Sequence, residues 1–202
     1  MKKALIVAAG SIDGIKINEQ YDLIIAADGG YDKAKALGLE PDIFIGDMDS
    51  LESPLEDVEK IKLEVHKDFT DTEAAIEKAV EEGYESITVI GGIGTRFDHS
   101  MANACLLKKY VGKGIKIILK DAHNEIFAFS ESCEIKGHRG ETISFLPLDS
   151  VVKGVSLEGF YYPLLNAEVK IGETLTVSNV ITEETARVKA EKGVLLAIIA
   201  KD

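Results

Sequence analysis

The stretch Ser86-Ile87-Thr88-Val89-Ile90-Gly91-Gly92-Ile93-Gly94-Thr95-Arg96-Phe97-Asp98-His99 changes character twice within a few residues. Its β-branched start predicts a strand over residues 86–90. Glycines then break the strand, and Asp98 is suited to cap a helix over residues 98–110 that closes toward Gly112. Strand, glycine-rich loop and helix together form the unit from which parallel sheets are built, so this stretch sets the fold class. The same texture extends outward. Short apolar runs predict further strands over residues 4–9, 23–27, 43–45, 63–65 and 115–119. Between them, a helix over residues 31–37 stops at Gly38, and one over 70–82 stops at Gly83. The second opens with a capping box, Thr70 with Glu73, and carries Ala75, Ile76, Ala79 and Val80 on one face.

After Asp121-Ala122-His123-Asn124 the period falls to two. Ala186-Arg187-Val188-Lys189-Ala190-Glu191 alternates apolar and charged residues, the pattern of a strand with one wet face. Other strands are predicted over residues 126–129, 142–146, 151–157, 174–177 and 194–200. The expected fold is therefore α/β in class. A Rossmann-like domain with a parallel sheet spans residues 1–122, and an all-β sandwich or jelly-roll domain spans 123–202. There is no internal repeat or low-complexity linker to separate them.

Composition narrows the partners. The chain has 202 residues, 46% of them hydrophobic and 29% charged, within the range of ordinary globular proteins. Its net charge of −12 argues against broad binding to nucleic acid or anionic lipid, which requires a basic surface. The N-terminal apolar run of residues 4–9 is too short for a signal peptide, and no stretch approaches the ~20 apolar residues of a membrane helix, so a cytoplasmic protein is expected. Cys105 and Cys133 lie in different segments without a CxxC partner, the pattern of two buried or idle thiols.

In an open parallel sheet, ligands bind beyond the carboxyl ends of the strands. Acidic residues occupy those loops here: Asp28 after the second strand, Asp47 and Asp49 after the third, Asp68 and Asp71 after the fourth, and Asp98 after the fifth. Like charges aimed at one cleft repel unless a cation neutralises them, and magnesium suits a site of few carboxylates plus phosphate oxygens. The loop Gly91–Gly94 adds backbone amides, and Arg96 adds a forked, permanently charged phosphate clamp. Each residue also has an ordinary role. Asp28-Gly29 is a common turn, Asp71 favours a first helical turn, and Arg96 can pair with Asp98 on the surface. The loop lacks both the Lys-Ser/Thr ending of a P-loop and the third glycine of a dinucleotide fingerprint.

Taken in order, Asp28-Gly29-Gly30, Gly46-Asp47-Met48-Asp49-Ser50, Lys67-Asp68-Phe69-Thr70-Asp71, and Gly91-Gly92 through Arg96-Phe97-Asp98-His99 and Asn103 closely resemble the thiamine pyrophosphokinase family. Gly159-Phe160-Tyr161-Tyr162-Pro163-Leu164 and Thr174-Leu175-Thr176-Val177-Ser178-Asn179 continue the resemblance to the C-terminus. The resemblance implies a magnesium-dependent enzyme that moves a diphosphate from ATP to thiamine and releases AMP. It also implies a homodimer, with thiamine in a cleft completed by the β domain of the other subunit. Asp47, Asp49 and Asp71 would then hold magnesium or activate the attacking oxygen, with Asp71 favoured as the base. Asp28, Lys67, Asp68, Arg96, Asp98 and His99 would form the ATP side. Tyr162, Thr176, Ser178 and Asn179 would line the thiamine side, Tyr162 offering an aromatic face to a cationic ring. Animal members of that family carry Trp at the position of Tyr162.

Two other readings of the residues stand beside this one. Asp47-Met48-Asp49-Ser50 mimics the Asp-x-Asp start of haloacid-dehalogenase-type phosphatases, although those place the motif after the first strand rather than the third. A module that binds Mg-ATP without turnover is the other.

Overall fold

The computed structural model describes residues 2–47, 54–55, 58–63 and 68–201. It is a mixed α/β protein that divides into two compact units, Met1–Leu106 with Gly114–Ala122, and Leu107–Lys113 with His123–Asp202.

The first unit runs β1 (Lys3–Val7), β2 (Leu23–Ala27), α1 (Gly30–Ala36), β3 (Ile43–Gly46), β4 (Glu59–Lys62), α2 (Asp71–Glu81), β5 (Ser86–Ile90), α3 (Phe97–Leu106) and β6 (Lys116–Lys120). Its strands pair only in parallel, in the order β4-β3-β2-β1-β5-β6. β1 is central and almost wholly buried, as a strand covered on both faces must be, which explains its uninterrupted apolar run. From β1 the chain builds outward through β2, β3 and β4, then returns to β1's other side with β5. The strand order therefore reverses at β1, and the loops leaving β1 and β5 part there.

The helices begin and end as their residues dictate. Thr70 caps α2, its hydroxyl accepting the Glu73 N–H at 3.1 Å, a bond worth about 1 kcal/mol. Ala75, Ile76 and Ala79 form the buried face of α2. Gly38 and Gly83, at φ +73 and +81, supply the left-handed stops after α1 and α2. Two expectations need correction. Upstream of the strand expected at 63–65, of which Leu63 is in no strand and Glu64 lies outside the described residues, the strand beside β3 is β4, Glu59–Lys62. Its sequence Glu59-Lys60-Ile61-Lys62 is mostly exposed, so edge pairing rather than burial makes it a strand, and hydropathy does not reveal it. Val65 lies outside the described residues. Asp98 does not cap α3. The helix starts at Phe97, so Asp98 lies inside its first turn, where a carboxylate still complements the helix dipole.

The second unit begins with a 3-10 turn (Leu107–Tyr110) and continues with β7 (Asn124–Lys136), β8 (Thr142–Pro147), β9 (Val151–Glu158), β10 (Leu164–Lys170), β11 (Asn179–Val180) and β12 (Thr185–Ala200). Every pairing among β7 to β12 is antiparallel. Residues 186–191 and 194–200 belong to one long strand, β12, whose register with β7 breaks between Lys189 and Val194. On one side of the break β12 pairs with β9, and on the other with β8. A strand that changes partners at an irregularity turns a corner, and the apolar residues on its inner faces then surround one core. That core includes Phe129, Phe145, Val155, Phe160, Val188 and Leu195. The alternation at residues 186–191 is realised, with Ala186, Val188 and Ala190 buried and Arg187, Lys189 and Glu191 exposed. Residues 174–177, expected as a strand, form a turn, and β10 appears where the sequence pattern suggests none.

One prediction follows from the close approach at the head of β1. An ideal Cβ on Gly30 would stand 1.9 Å from the Val7 carbonyl oxygen, whereas one on Gly38 meets nothing within 4 Å. Gly30→Ala must therefore displace backbone, with an expected loss of about 3 kcal/mol or more. Gly38→Ala incurs only left-handed strain of about 1–2 kcal/mol. Urea unfolding of both variants checks the ranking, and equal losses would refute it.

Candidate active site

A cavity of about 320 Å³ opens in the first unit where the loops after β1 and β5 part. Backbone makes much of its wall, from Ala8, Ala9 and Gly10 after β1 and from Gly91, Gly92 and Gly94 after β5. These loops touch directly. The Gly10 N–H donates to Gly91 O at 2.8 Å, and the Ala8 N–H donates to Ile90 O at 2.8 Å. Ideal Cβ atoms would lie 2.3 Å from Gly91 O at Gly10 and 2.3 Å from Ala8 O at Gly91, so only glycine allows this contact.

Charged and polar groups enter from several elements. Asp28 follows β2 and lines the cavity. Its backbone is left-handed (φ +52), which Asp tolerates better than most residues. That turn is held by the Asp28 N–H donating to Ile45 O at 2.8 Å and by the Tyr31 N–H donating to Asp28 O at 3.2 Å. Thr70, Asp71 and Thr72 line the cavity from the N-terminus of α2. Thr95, Arg96, His99, Ser100 and Asn103 line it from the glycine loop and α3.

Arg96 is engaged by Asp98 through two bonds, Nη2 to Oδ2 at 2.5 Å and Nε to Oδ1 at 3.2 Å. The Arg96 hydrogen bond, helped by the His99 backbone N–H, lowers the Asp98 pKa to about 2, and the pair is largely exposed. The carboxylate is thus ionised at any physiological pH. An exposed pair of this kind adds little stability, so a group of higher negative charge can compete for the guanidinium.

The aspartates named from sequence are not gathered alike. Asp28 and Asp71 share the cavity, and Asp98 reaches it through Arg96. Asp47 directly follows Gly46, whose ideal Cβ would lie 3.2 Å from the Asp28 Cα, so the turns after β2 and β3 are adjacent. Asp68 is exposed, two residues before the α2 cap. Asp49 and Lys67 lie outside the described residues. Among the described residues, no three His, Cys, Asp or Glu side chains form a metal-binding group. Ser100, Thr70, Thr72 and the residues 8–10 line the cavity unanticipated. Gly10 following the first apolar run, and Ser100 three residues before Asn103 on a helix, were the available signals.

In the second unit, Tyr162 is 61% exposed and meets Tyr161, 65% exposed, edge to face with centroids 4.9 Å apart. Asn179 is buried and fixes the Tyr162 backbone in both directions. The Tyr162 N–H donates to Asn179 Oδ1 at 2.9 Å, and Asn179 Nδ2 donates to Tyr162 O at 2.8 Å. Thr176 is also buried, its hydroxyl donating to Phe145 O at 2.5 Å. Ser178 is exposed in a left-handed conformation (φ +58), and its N–H donates to the Ser144 hydroxyl at 3.0 Å.

Comparison with known proteins places the chain in a family. Residues 15–119 match the model described as thiamin pyrophosphokinase, catalytic domain, and residues 132–195 match thiamin pyrophosphokinase, vitamin B1 binding domain. The chain is 33% identical over 214 residues to the thiamine pyrophosphokinase of Bacillus subtilis (strain 168), with 100% of both chains covered. It is similar to the crystal structure of the thiamine pyrophosphokinase from Bacillus subtilis, with a TM-score of 0.87 at 30% identity and 100% of each chain covered. A thiamin pyrophosphokinase structure from Geobacillus thermodenitrificans gives a TM-score of 0.88 at 27% identity, covering 99% of this chain and 98% of that one. With both family models matched in order over most of its length, the chain belongs to the thiamin pyrophosphokinase family.

Proposed function

We propose that the cavity at the head of β1 holds the polyphosphate of ATP while the hydroxyethyl oxygen of thiamine attacks the β-phosphorus. Family membership makes the chain a diphosphotransferase in thiamine diphosphate formation. The observation that carries the site assignment is the meeting of Asp28, Asp71, Arg96 and the glycine loop around one cavity at the reversal of strand order. Its ~320 Å³ lies at the low end of the range for ligand sites, enough for phosphates but not for two whole substrates.

In this reading residues 1–122 form a Rossmann-like domain that binds ATP, and residues 123–202 form a sandwich or jelly-roll domain that binds thiamine. The oxygen–phosphorus bond to thiamine forms as the bridging bond to the α-phosphate breaks, the electron pair leaves with AMP, and the hydroxyl proton passes to a carboxylate. Asp71 at the start of α2 is the favoured acceptor. Such a base typically contributes about 10²–10⁴-fold. Arg96 exchanges its Asp98 partner for phosphate oxygens, and His99 and Asp68 stand on the same ATP side with Lys67. Positioning and charge supply most of the acceleration, because this kind of transfer asks for little covalent help from protein.

A magnesium ion fits the donor set of Asp28 and Asp71 on one cavity with Asp47 beside the Asp28 turn, since magnesium needs only one or two carboxylates when phosphate oxygens complete its shell. Asp47, Asp49 and Asp71 would hold it or activate the attacking oxygen, the latter role falling to Asp71. When bound, it supplies charge neutralisation of the phosphate oxygens.

On the thiamine side, Tyr162 and Ser178 offer exposed groups, while Thr176 and Asn179 are tied into the protein and shape that surface. Tyr161, Tyr162, Leu175 and Val177 are large and exposed, which supports a homodimer in which a second copy covers them and completes the thiamine cleft. Among the described residues no helix is long and apolar enough to cross a membrane. The cytoplasm, where ATP is abundant, is the proposed compartment.

Incubation with magnesium, ATP and thiamine should form AMP and thiamine diphosphate in equal amounts. Binding of ATP without AMP formation would favour a binding module instead, and a trapped aspartyl-phosphate would favour the phosphatase-like reading. Asp71→Asn and Asp49→Asn should each lower kcat at least about tenfold while far-UV circular dichroism stays unchanged. Wild-type turnover in both would remove them from the site. Tyr162→Ala should raise the KM for thiamine more than that for ATP, and equal changes in the two constants would contradict the assignment of the second unit.

A further inference from the structure

The glycine loop is braced from one face of α3. Ser100 and Asn103 stand one helical turn apart, so their side chains emerge on the same side. Asn103, only 7% exposed, donates from Nδ2 to Gly92 O at 2.8 Å. The Ser100 hydroxyl accepts the Gly94 N–H at 3.0 Å and lies within donating distance of both Gly94 O, at 3.2 Å, and Arg96 O, at 3.1 Å. The Ser100 backbone N–H also donates to Arg96 O at 3.1 Å.

The direction of these bonds matters. In a trans, planar peptide the carbonyl of one residue and the N–H of the next point in opposite directions. Holding Gly92 O on the helix turns the Ile93 N–H away from it. A Ser100 hydrogen bond to Gly94 O does the same for the Thr95 N–H. Among the described residues, the only N–H that the segment from Gly92 to Thr95 donates to a protein acceptor is that of Gly94. Of the remaining amides, those of Gly92 and Thr95 belong to residues that line the cavity and carry no such bond, the condition under which a loop can receive an anion without first rearranging.

We propose that Ser100 and Asn103 are positioning residues that hold the Gly91–Arg96 loop ready for the nucleotide polyphosphate. The inference rests on the loop's assignment to the ATP side and adds the helix face that shapes it. Neither residue has to touch the transferred phosphorus for this role.

The test compares steady-state constants and calorimetric ATP affinity across variants. Ser100→Ala removes one neutral hydrogen-bonding group and should raise the KM and Kd for ATP about three- to tenfold. The KM for thiamine should stay within about twofold, and Ser100→Thr, which restores the hydroxyl, should recover ATP affinity. Asn103→Asp keeps the size but sets a carboxylate against Gly92 O, and should weaken ATP more than Ser100→Ala does. If Asn103→Asp fails to fold, the Ser100 pair decides alone. Unchanged ATP affinity in folded Ser100→Ala, or an equal rise in both KM values, would overturn the proposal. Arg96→Ala separates the two levels. If it weakens ATP while Ser100→Ala does not, the brace alone is wrong. If neither variant affects ATP, the assignment of the loop itself has failed.

Discussion

The first unit depends on a contact between backbones. At the head of β1 the loops after β1 and β5 lie so close that Gly10 donates to Gly91 O at 2.8 Å, and a side chain at either position would overlap the opposing carbonyl. Gly30 meets Val7 O in the same way from the start of α1. These approaches bring polar backbone to the place where the loops after β1 and β5 part, so peptide groups of residues 8–10 and 91–94 form part of the cavity wall beside the polar side chains. A surface of that kind suits an oxyanion, whose charge is met by fixed dipoles that need no reorganisation.

Around this constraint the charged residues divide the work. Asp28 and Asp71 reach the cavity from separate elements, the turn after β2 and the first turn of α2. Arg96 supplies opposite charge, but its partner Asp98 keeps it at the rim through two bonds. Because Asp98 is ionised well below neutrality, that pairing does not vary across the physiological range.

The second unit shows a polar group acting through backbone. The Asn179 carboxamide serves the N–H and the carbonyl of Tyr162 as a neighbouring strand would, and so fixes the exposed Tyr161–Tyr162 pair from beneath. Residues 174–177 read as a strand because Thr and Val favour extended structure. They form a turn because Thr176 bonds to Phe145 through both its backbone and its hydroxyl, a long-range commitment that local propensity does not encode. β4 and β10 are hidden from the sequence pattern for a related reason. Both expose most of their side chains, and pairing along an edge leaves no hydropathy signal.

Some features follow from the amino-acid sequence alone. Periodicity distinguished the parallel strands from the alternating β12, capping residues and glycines bounded α1 and α2, and the ordered motifs identified the family. These are local properties, written in neighbouring residues and recoverable from spacing. The Arg96–Asp98 pair, which joins residues two apart, was likewise already legible in the sequence. Only the tertiary structure decided which aspartates share a cavity and that Ser100 and Asn103 hold the glycine loop. Each of those outcomes depends on the distance between groups carried by different elements or on the direction of a peptide plane, and sequence order specifies neither until the strands have packed.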